Sequence, residues 1–330
     1  MAEALRERGA EVTFAGSPDR VEARLVPEAG YQLDTFAVAG LPRRPSLALA
    51  HAVALDARAP LACSRILARR RPHVVLGGGG YVSGPMVLAA AARRIPAALM
   101  EADAHLGLAN RWAAPLARRV FLAFPLAGRE GERYRVVGRP IPTGSRPLPR
   151  DEARRQLELP TEGPVLLVFG GSLGARVINE TAVDAFADEG PAVLHLCGER
   201  DYEALRGRVS RPDYRLLPFL ADFGAALGAA DLALARAGGS VWELAAAGLP
   251  AVLVPGLFAT GAHQEKNARF FERSGGAVVV PEAEIARAPE VVRELLAAPD
   301  RRAAMSRAMS EVARPDAADA IAEELIALVA

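Results

Sequence analysis

Apolar positions along this chain recur in two rhythms. Short unbroken runs at residues 73–76, 96–100, 120–124, 165–169, 192–196, 231–235, 251–254 and 277–280 have the length and Val/Leu/Ala content of strands buried on both faces. Residues 11–15, 33–38, 134–137 and 214–217 read as further strands. Between them apolar residues fall three and four apart, the spacing of helices. These are predicted at 1–8, 21–29, 85–93, 106–117, 175–187, 240–247, 288–298, 299–312 and 315–329, with one more opening at His263. Residues 41–71 read as one or two helices split near Pro60. Strand and helix alternate twice over, which predicts an α/β protein with parallel, doubly wound sheets.

Several of the turns between these elements are rich in glycine. Gly77, Gly78, Gly79 and Gly80 follow a buried strand and lead through Tyr81, Val82, Ser83 and Gly84 to a helix predicted from Pro85. Gly170, Gly171, Ser172, Leu173 and Gly174 link a strand to the helix at 175–187. Gly238 and Gly239 separate the strand at 231–235 from a helix opening at Ser240. A glycine turn feeding a helix lets backbone N–H groups approach a phosphate. Glu243, one turn into its helix, can reach a hydroxyl pair beside such a phosphate. Ser240-x-x-Glu243 is equally a capping box, and the segment taken alone favours the cap. Glu101 and Asp103 sit at the carboxyl end of a strand, where either binds a hydroxyl, takes a proton or caps the next helix. Gln264 and Asn267 share a helix face, as sugar-reading groups or as surface polar residues.

Composition narrows the chemistry. With 330 residues the chain is long enough for two domains, and the cluster of Pro140, Pro142, Gly144, Pro147 and Pro149 marks the boundary. The net charge of +1 excludes a global basic field for nucleic acid. Lys266 is the one lysine and follows no glycine-rich loop, which excludes a P-loop NTPase. Two cysteines and five histidines at irregular spacing give no metal site, and the cysteine usage fits a reducing cytoplasm. No apolar run is long enough to span a bilayer, and no secretory signal is present. The basic, leucine-bearing stretch 41–71, with Arg43, Arg44, Arg58, Arg65, Arg69, Arg70 and Arg71 against Asp56, suits an anionic membrane or a solvated helix face. Glycine turns and polar tips at strand ends in two domains, without lysine or metal ligands, fit a nucleotide-sugar ligand.

The stretches 78–85, 170–176 with Asn179, and 236–250 with Gln264 and Asn267 resemble, in order along the whole chain, the undecaprenyl-diphospho-muramoylpentapeptide β-N-acetylglucosaminyltransferase family of peptidoglycan synthesis. The resemblance implies the GT-B fold, two Rossmann-like domains with a cleft between them. It divides the chain into an acceptor-side domain at 1–142, a linker at 143–150, a UDP-GlcNAc domain at 151–314, and a C-terminal helix at 315–330 that crosses back to the first domain. The implied reaction moves GlcNAc from UDP-GlcNAc to the MurNAc 4-hydroxyl of lipid I, giving lipid II with inversion and neither metal nor cofactor. Gly78, Gly79, Gly80, Tyr81, Ser83 and Gly84 would face the acceptor diphosphate. The donor set would be Arg139, Ser172, Leu220, Gly239, Ser240, Glu243 on the ribose, and Gln264 with His263 on the sugar. The implied partners are UDP-GlcNAc, lipid I, an anionic membrane and cell-wall synthesis enzymes, at the cytoplasmic face of the cell membrane as a peripheral protein.

The chain also departs from the family pattern. The family's first strand and its glycine loop, which carries a histidine proposed as base, are absent after Met1, leaving Glu101 and Asp103 as the candidate bases. Pro142 stands where an arginine is expected, and Asp103 where an asparagine is. The expectation is a chain that binds UDP-GlcNAc and transfers it poorly. The competing readings are another GT-B glycolipid glycosyltransferase, such as one acting on diacylglycerol, and a non-catalytic UDP-sugar-binding remnant.

Overall fold

A computed structural model describes residues 1–39, 47–171, 175–256 and 263–329. The chain forms two compact units, one of Met1–Pro140 with Asp316–Ala330, the other of Ile141–Pro315.

The first unit contains α1 (Ala2–Glu7), β1 (Thr13–Gly16), α2 (Glu22–Glu28), β2 (Gln32–Thr35), α3 (Leu47–Arg70), β3 (Val75–Gly77), α4 (Gly80–Ala92), β4 (Ala97–Glu101), α5 (Leu108–Ala113), β5 (Arg119–Leu122) and β6 (Tyr134–Val136). β1 and β2 pair as a parallel two-stranded sheet, and β3-β4-β5-β6 form a parallel four-stranded one. Leu99, Val120 and Leu122 are fully buried under Val87 and Ala90 of α4. The stretch read as one or two helices is, over its described part, the single helix α3 with Pro60 inside it. α4 begins at Gly80, so the glycine turn is shorter than predicted and Tyr81, Val82, Ser83 and Gly84 are helical. The glycines that argued for a longer loop serve other ends. Gly79 and Gly80 take φ of 95° and 69°, and a Cβ on Gly77 would press on Leu99 at 2.8 Å.

The second unit contains α6 (Arg150–Gln156), β7 (Val165–Phe169), α7 (Arg176–Phe186), β8 (Ala192–Leu196), α8 (Glu199–Leu205), β9 (Tyr214–Leu217), α9 (Phe223–Ala229), β10 (Leu232–Ala235), α10 (Val241–Ala246), β11 (Ala251–Leu253), α11 (His263–Arg273), β12 (Ala277–Val279), α12 (Ala288–Ala297) and α13 (Pro299–Val312). The last helix, α14 (Ala317–Ala327), belongs to the first unit, where Asp319 and Glu323 pair with Arg8 and Glu324 pairs with Arg119. The second sheet is parallel throughout, in the order β12-β11-β10-β7-β8-β9. From β7 the chain winds outward through β8 and β9, then returns to lay β10 on the other side of β7. The direction of winding therefore reverses between β7 and β10, and the carboxyl ends of strands at such a reversal are where doubly wound sheets hold ligands. Every residue of β7, β8, β10 and β11 is buried, which is why their sequences are apolar apart from His195.

Residues 141–149 are part of this unit rather than a free linker. Thr143–Ser145 form a 3-10 turn, and Leu148 N–H donates to the Gly224 carbonyl at 3.2 Å. Arg154 on α6 is fully buried. Its guanidinium donates to Asp231 and to the carbonyls of Ala229, Pro160, Thr161 and Gly163 at 2.9–3.1 Å. Asp231 also accepts from the Val165 N–H, so one ion pair ties the start of β7 to the approach to β10.

Candidate functional site

The last paired residues of β7 and β10 are Phe169 and Ala235, register partners across the switch point. Two glycine turns therefore leave the sheet side by side. Gly170 and Gly171 continue β7, with Gly171 at φ 89°, and Arg236 to Ser240 continue β10. Ser172 lies outside the described residues. Among the described residues, nothing accepts a hydrogen bond from the Gly239 or Ser240 N–H. Among the described residues, those two amides therefore have donor capacity that a ligand could use.

The capping-box reading of Ser240 and Glu243 is not what forms. The Ser240 side chain makes no cap bond. The Glu243 carboxylate instead accepts from the Ser145 hydroxyl at 2.5 Å. The next strand exit is braced by Gln264, whose Oε1 accepts from the Gly256 N–H at 2.8 Å. Asn267, offered as a sugar-reading group, is buried and donates to the Ala237 carbonyl at 3.2 Å, which supports the β10 turn from below. Trp242 packs edge-on against Phe271 at 5.4 Å and seats α10 on α11. Leu220 lies in the loop after β9, on the same carboxyl edge, next to the exposed Phe219. His263 opens α11 beside Gln264. The second unit thus brings Leu220, Gly239, Ser240, Glu243, His263 and Gln264 to one edge of its sheet. Arg139 belongs to the first unit.

A buried polar chain anchors the helix that follows the first turn. Asn179 on α7 donates through Nδ2 to the Cys197 carbonyl at 2.8 Å and to Asp201 at 2.9 Å. Its Oδ1 must then accept, so the His195 Nε2 at 3.1 Å carries the proton and Nδ1 accepts from the Tyr214 hydroxyl at 2.9 Å. Burial drives His195 from 6.5 down to about 3, so the ring is neutral. Burial pushes the Asp201 carboxyl up, but hydrogen bonds from Arg200 and Asn179 outweigh it and hold it below the usual range.

In the first unit, the turn after β3 resembles an anion cradle with one group already spent. The Ser83 hydroxyl accepts from the Gly79 N–H at 2.8 Å and donates to the Gly79 carbonyl at 2.6 Å, so Ser83 closes the turn instead of reaching out of it. Gly78, the half-buried Tyr81 and the first-turn amides of α4 remain at its mouth. Glu101 also differs from expectation. Its buried carboxylate accepts from the N–H groups of Asp103 at 3.3 Å and Gly107 at 2.8 Å, and from Asn110 Nδ2 at 2.9 Å. It shapes the loop after β4 and is not exposed as a base. Asp103 sits half-buried on that loop.

The basic stretch on α3 is only partly available. Arg69 and Arg70 both pair with the buried Asp34, at 2.5 and 2.7 Å, and tie the end of α3 to β2. Arg43 and Arg44 lie outside the described residues. Among the described residues, exposed apolar side chains lie on several elements. Leu108, Trp112 and Leu116 are 62%, 77% and 44% exposed at intervals of four, and Leu61 and Leu88 are exposed on α3 and α4. Periodicity alone missed this face because alanines fill the buried side of the same segment. An alanine face opposite a leucine and tryptophan face was the readable signal.

Among the described residues no cluster of His, Cys, Asp and Glu could hold a metal ion, and no helix is long and apolar enough to cross a membrane.

Two parallel α/β units, the second doubly wound with paired glycine turns at its switch point and a carboxylate beside them, fit the GT-B fold of glycosyltransferases. The Glycosyltransferase family 28 N-terminal domain model matches residues 1–122 and the C-terminal domain model residues 165–321, and the chain belongs to this family. It is 43% identical, over 99% of its length and 92% of the relative's, to the UDP-N-acetylglucosamine--N-acetylmuramyl-(pentapeptide) pyrophosphoryl-undecaprenol N-acetylglucosamine transferase of Acidithiobacillus ferrooxidans. It is 40% identical to the Rubrobacter xylanophilus protein of the same name, over 99% of this chain and 98% of that one. A crystal structure of Acinetobacter baumannii MurG superposes with a TM-score of 0.80 at 29% identity, covering 99% of this chain and 94% of that one.

Proposed function

We propose that this chain transfers N-acetylglucosamine from UDP-N-acetylglucosamine to the 4-hydroxyl of undecaprenyl-pyrophosphoryl-MurNAc-pentapeptide, the lipid I to lipid II step of peptidoglycan synthesis. The observation that carries this reading is the register of Phe169 with Ala235, which sets two glycine turns beside each other at the sheet's switch point. The nucleotide diphosphate lies against the amides of Gly239 and Ser240. Glu243 accepts from the ribose hydroxyls, the Leu220 backbone meets the uracil, and His263 with Gln264 borders the sugar.

The acceptor oxygen attacks the anomeric carbon as the bond from that carbon to the β-phosphate oxygen breaks. The hydroxyl proton passes to a base, and the negative charge appearing on UDP is met by N–H donors that need not reorganise. On the acceptor side the first-turn amides of α4 and the Gly78–Gly79 turn meet the lipid diphosphate, and Asp103, on the loop after β4, is the candidate to take a proton. Exposed Leu108, Trp112 and Leu116, with Arg111 and Arg118 beside them, rest on an anionic membrane and hold the chain peripherally at its cytoplasmic face.

A transfer assay with labelled UDP-N-acetylglucosamine and a short-chain lipid I analogue tests the proposal, with diacylglycerol as competing acceptor. The expected result is label on the lipid I analogue alone, with an increase of about tenfold or more in donor KM for Glu243→Ala. Label on diacylglycerol, or a Glu243→Ala variant with unchanged donor KM, would refute it.

A further inference from the structure

We infer that Ser145 is a positioning residue of the nucleotide site, orienting the Glu243 carboxylate so that it can receive a vicinal diol. This deepens the proposed reading of Glu243 and rests on it. Ser145 is 4% exposed, and its hydroxyl donates to Glu243 Oε1 at 2.5 Å from a segment far away in the chain. A glutamate has three freely turning side-chain bonds, and leaving it unheld would make each bound ligand order it anew. The serine bond fixes one oxygen and, because the hydroxyl is the donor, leaves the acceptor capacity of Oε2 and the second lone pair of Oε1 for two further hydroxyls.

Something must hold the serine in turn, and the structure shows what does. The strand of backbone that carries it runs along α9 across Gly224 and Gly228, one helical turn apart. A Cβ on Gly224 would stand 2.1 Å from the Arg146 carbonyl oxygen, and one on Gly228 would stand 2.2 Å from that of Leu148. Only glycine at both places lets residues 146–148 lie this close, and the Leu148 N–H donates to the Gly224 carbonyl from inside the groove. α9, the 3-10 turn at Thr143–Ser145 and Glu243 therefore form one chain of contacts. A segment that reads in sequence as a linker supplies a polar group to the ligand site.

Titration calorimetry separates this role from a structural one, using UDP and 2′,3′-dideoxy-UDP as probes. The native chain should bind UDP about tenfold or more tighter than the dideoxy nucleotide. Ser145→Ala should lose about tenfold in UDP affinity while binding dideoxy-UDP as the native chain does, so that the advantage of the diol shrinks. Ser145→Cys, a near-isosteric weaker donor, should fall between. Gly224→Ala, which displaces the segment without touching Ser145 or Glu243, should reproduce the Ser145→Ala pattern. Equal losses for both nucleotides, or no loss for either, would overturn the inference while the site reading stands. A native chain that binds neither nucleotide, or binds the two equally, would remove the site reading itself and the inference with it.

Discussion

Phe169 and Ala235 end their strands as partners in one parallel register. That pairing determines what the following residues can do, because two turns leaving adjacent strands at a reversal of winding cannot close over each other. Gly171 takes φ 89° there, and among the described residues no atom lies within 4 Å of where a Cβ would stand. Gly171→Ala should therefore fit sterically but resist the native backbone conformation, at a cost of about 1–2 kcal/mol. The expected outcome is an unfolding midpoint within a few degrees of native and UDP affinity reduced about tenfold, measured by calorimetry. Unchanged affinity would show that this turn does not contact the nucleotide.

Arg154 predicts a stability effect without a direct part in binding. It is fully buried, and its guanidinium serves Asp231 and four carbonyls. Removing it takes a donor from Asp231, which keeps Arg150 and the Val165 N–H, and takes the guanidinium from four carbonyls. Arg154→Met, close in length, should cost about 2–4 kcal/mol in urea unfolding, chiefly through the carbonyls. A loss below about 1 kcal/mol would mean that solvent replaces the guanidinium freely.

His195 makes acid stability measurable. Folded, it holds a proton only near pH 3, against 6.5 for an ordinary imidazole. Between those values the unfolded chain binds more protons than the folded one, so acid favours unfolding. The contribution is intact above about pH 6.5 and is lost as pH falls toward 3. At pH 5 the loss from this group is roughly 2 kcal/mol. His195→Gln, which cannot titrate, should lie below the native chain at pH 7 and lose less on going to pH 5. Parallel losses in the two proteins would place the acid sensitivity elsewhere.

The membrane reading transfers weight from the end of α3 to α5. Trp112 is 77% exposed, whereas Arg69 and Arg70 are engaged by Asp34. Trp112→Glu should release the chain from phosphatidylglycerol vesicles in co-sedimentation and leave its unfolding midpoint unchanged. Arg69→Gln should instead lower the midpoint and leave sedimentation nearly as it was. The reverse pattern would return the docking surface to α3.

Much of this was legible in the residues. Strands such as Val165–Phe169 and Ala192–Leu196 match the predicted runs residue for residue, because a parallel strand covered on both faces is apolar almost throughout, with His195 the one polar side chain and itself buried. The start of α4 was not, since Gly80 and Gly84 read as loop residues and only packing against β3 makes them helical. Pro60 likewise reads as a break but is accommodated within α3. The roles of Glu243, Glu101, Ser83 and Asn267 were beyond sequence reasoning for a common reason. A carboxylate, hydroxyl or amide is either an internal brace or a ligand contact according to its partner, and here the partners are Ser145, Gly107, Gly79 and Ala237.

The most direct test of the account is a crystal structure of this chain with UDP bound. The account predicts diphosphate oxygens within about 3 Å of the Gly239 and Ser240 nitrogens and ribose hydroxyls on the Glu243 carboxylate, which should still be held by Ser145. A nucleotide seated elsewhere, with the turns after β7 and β10 left empty, would contradict it.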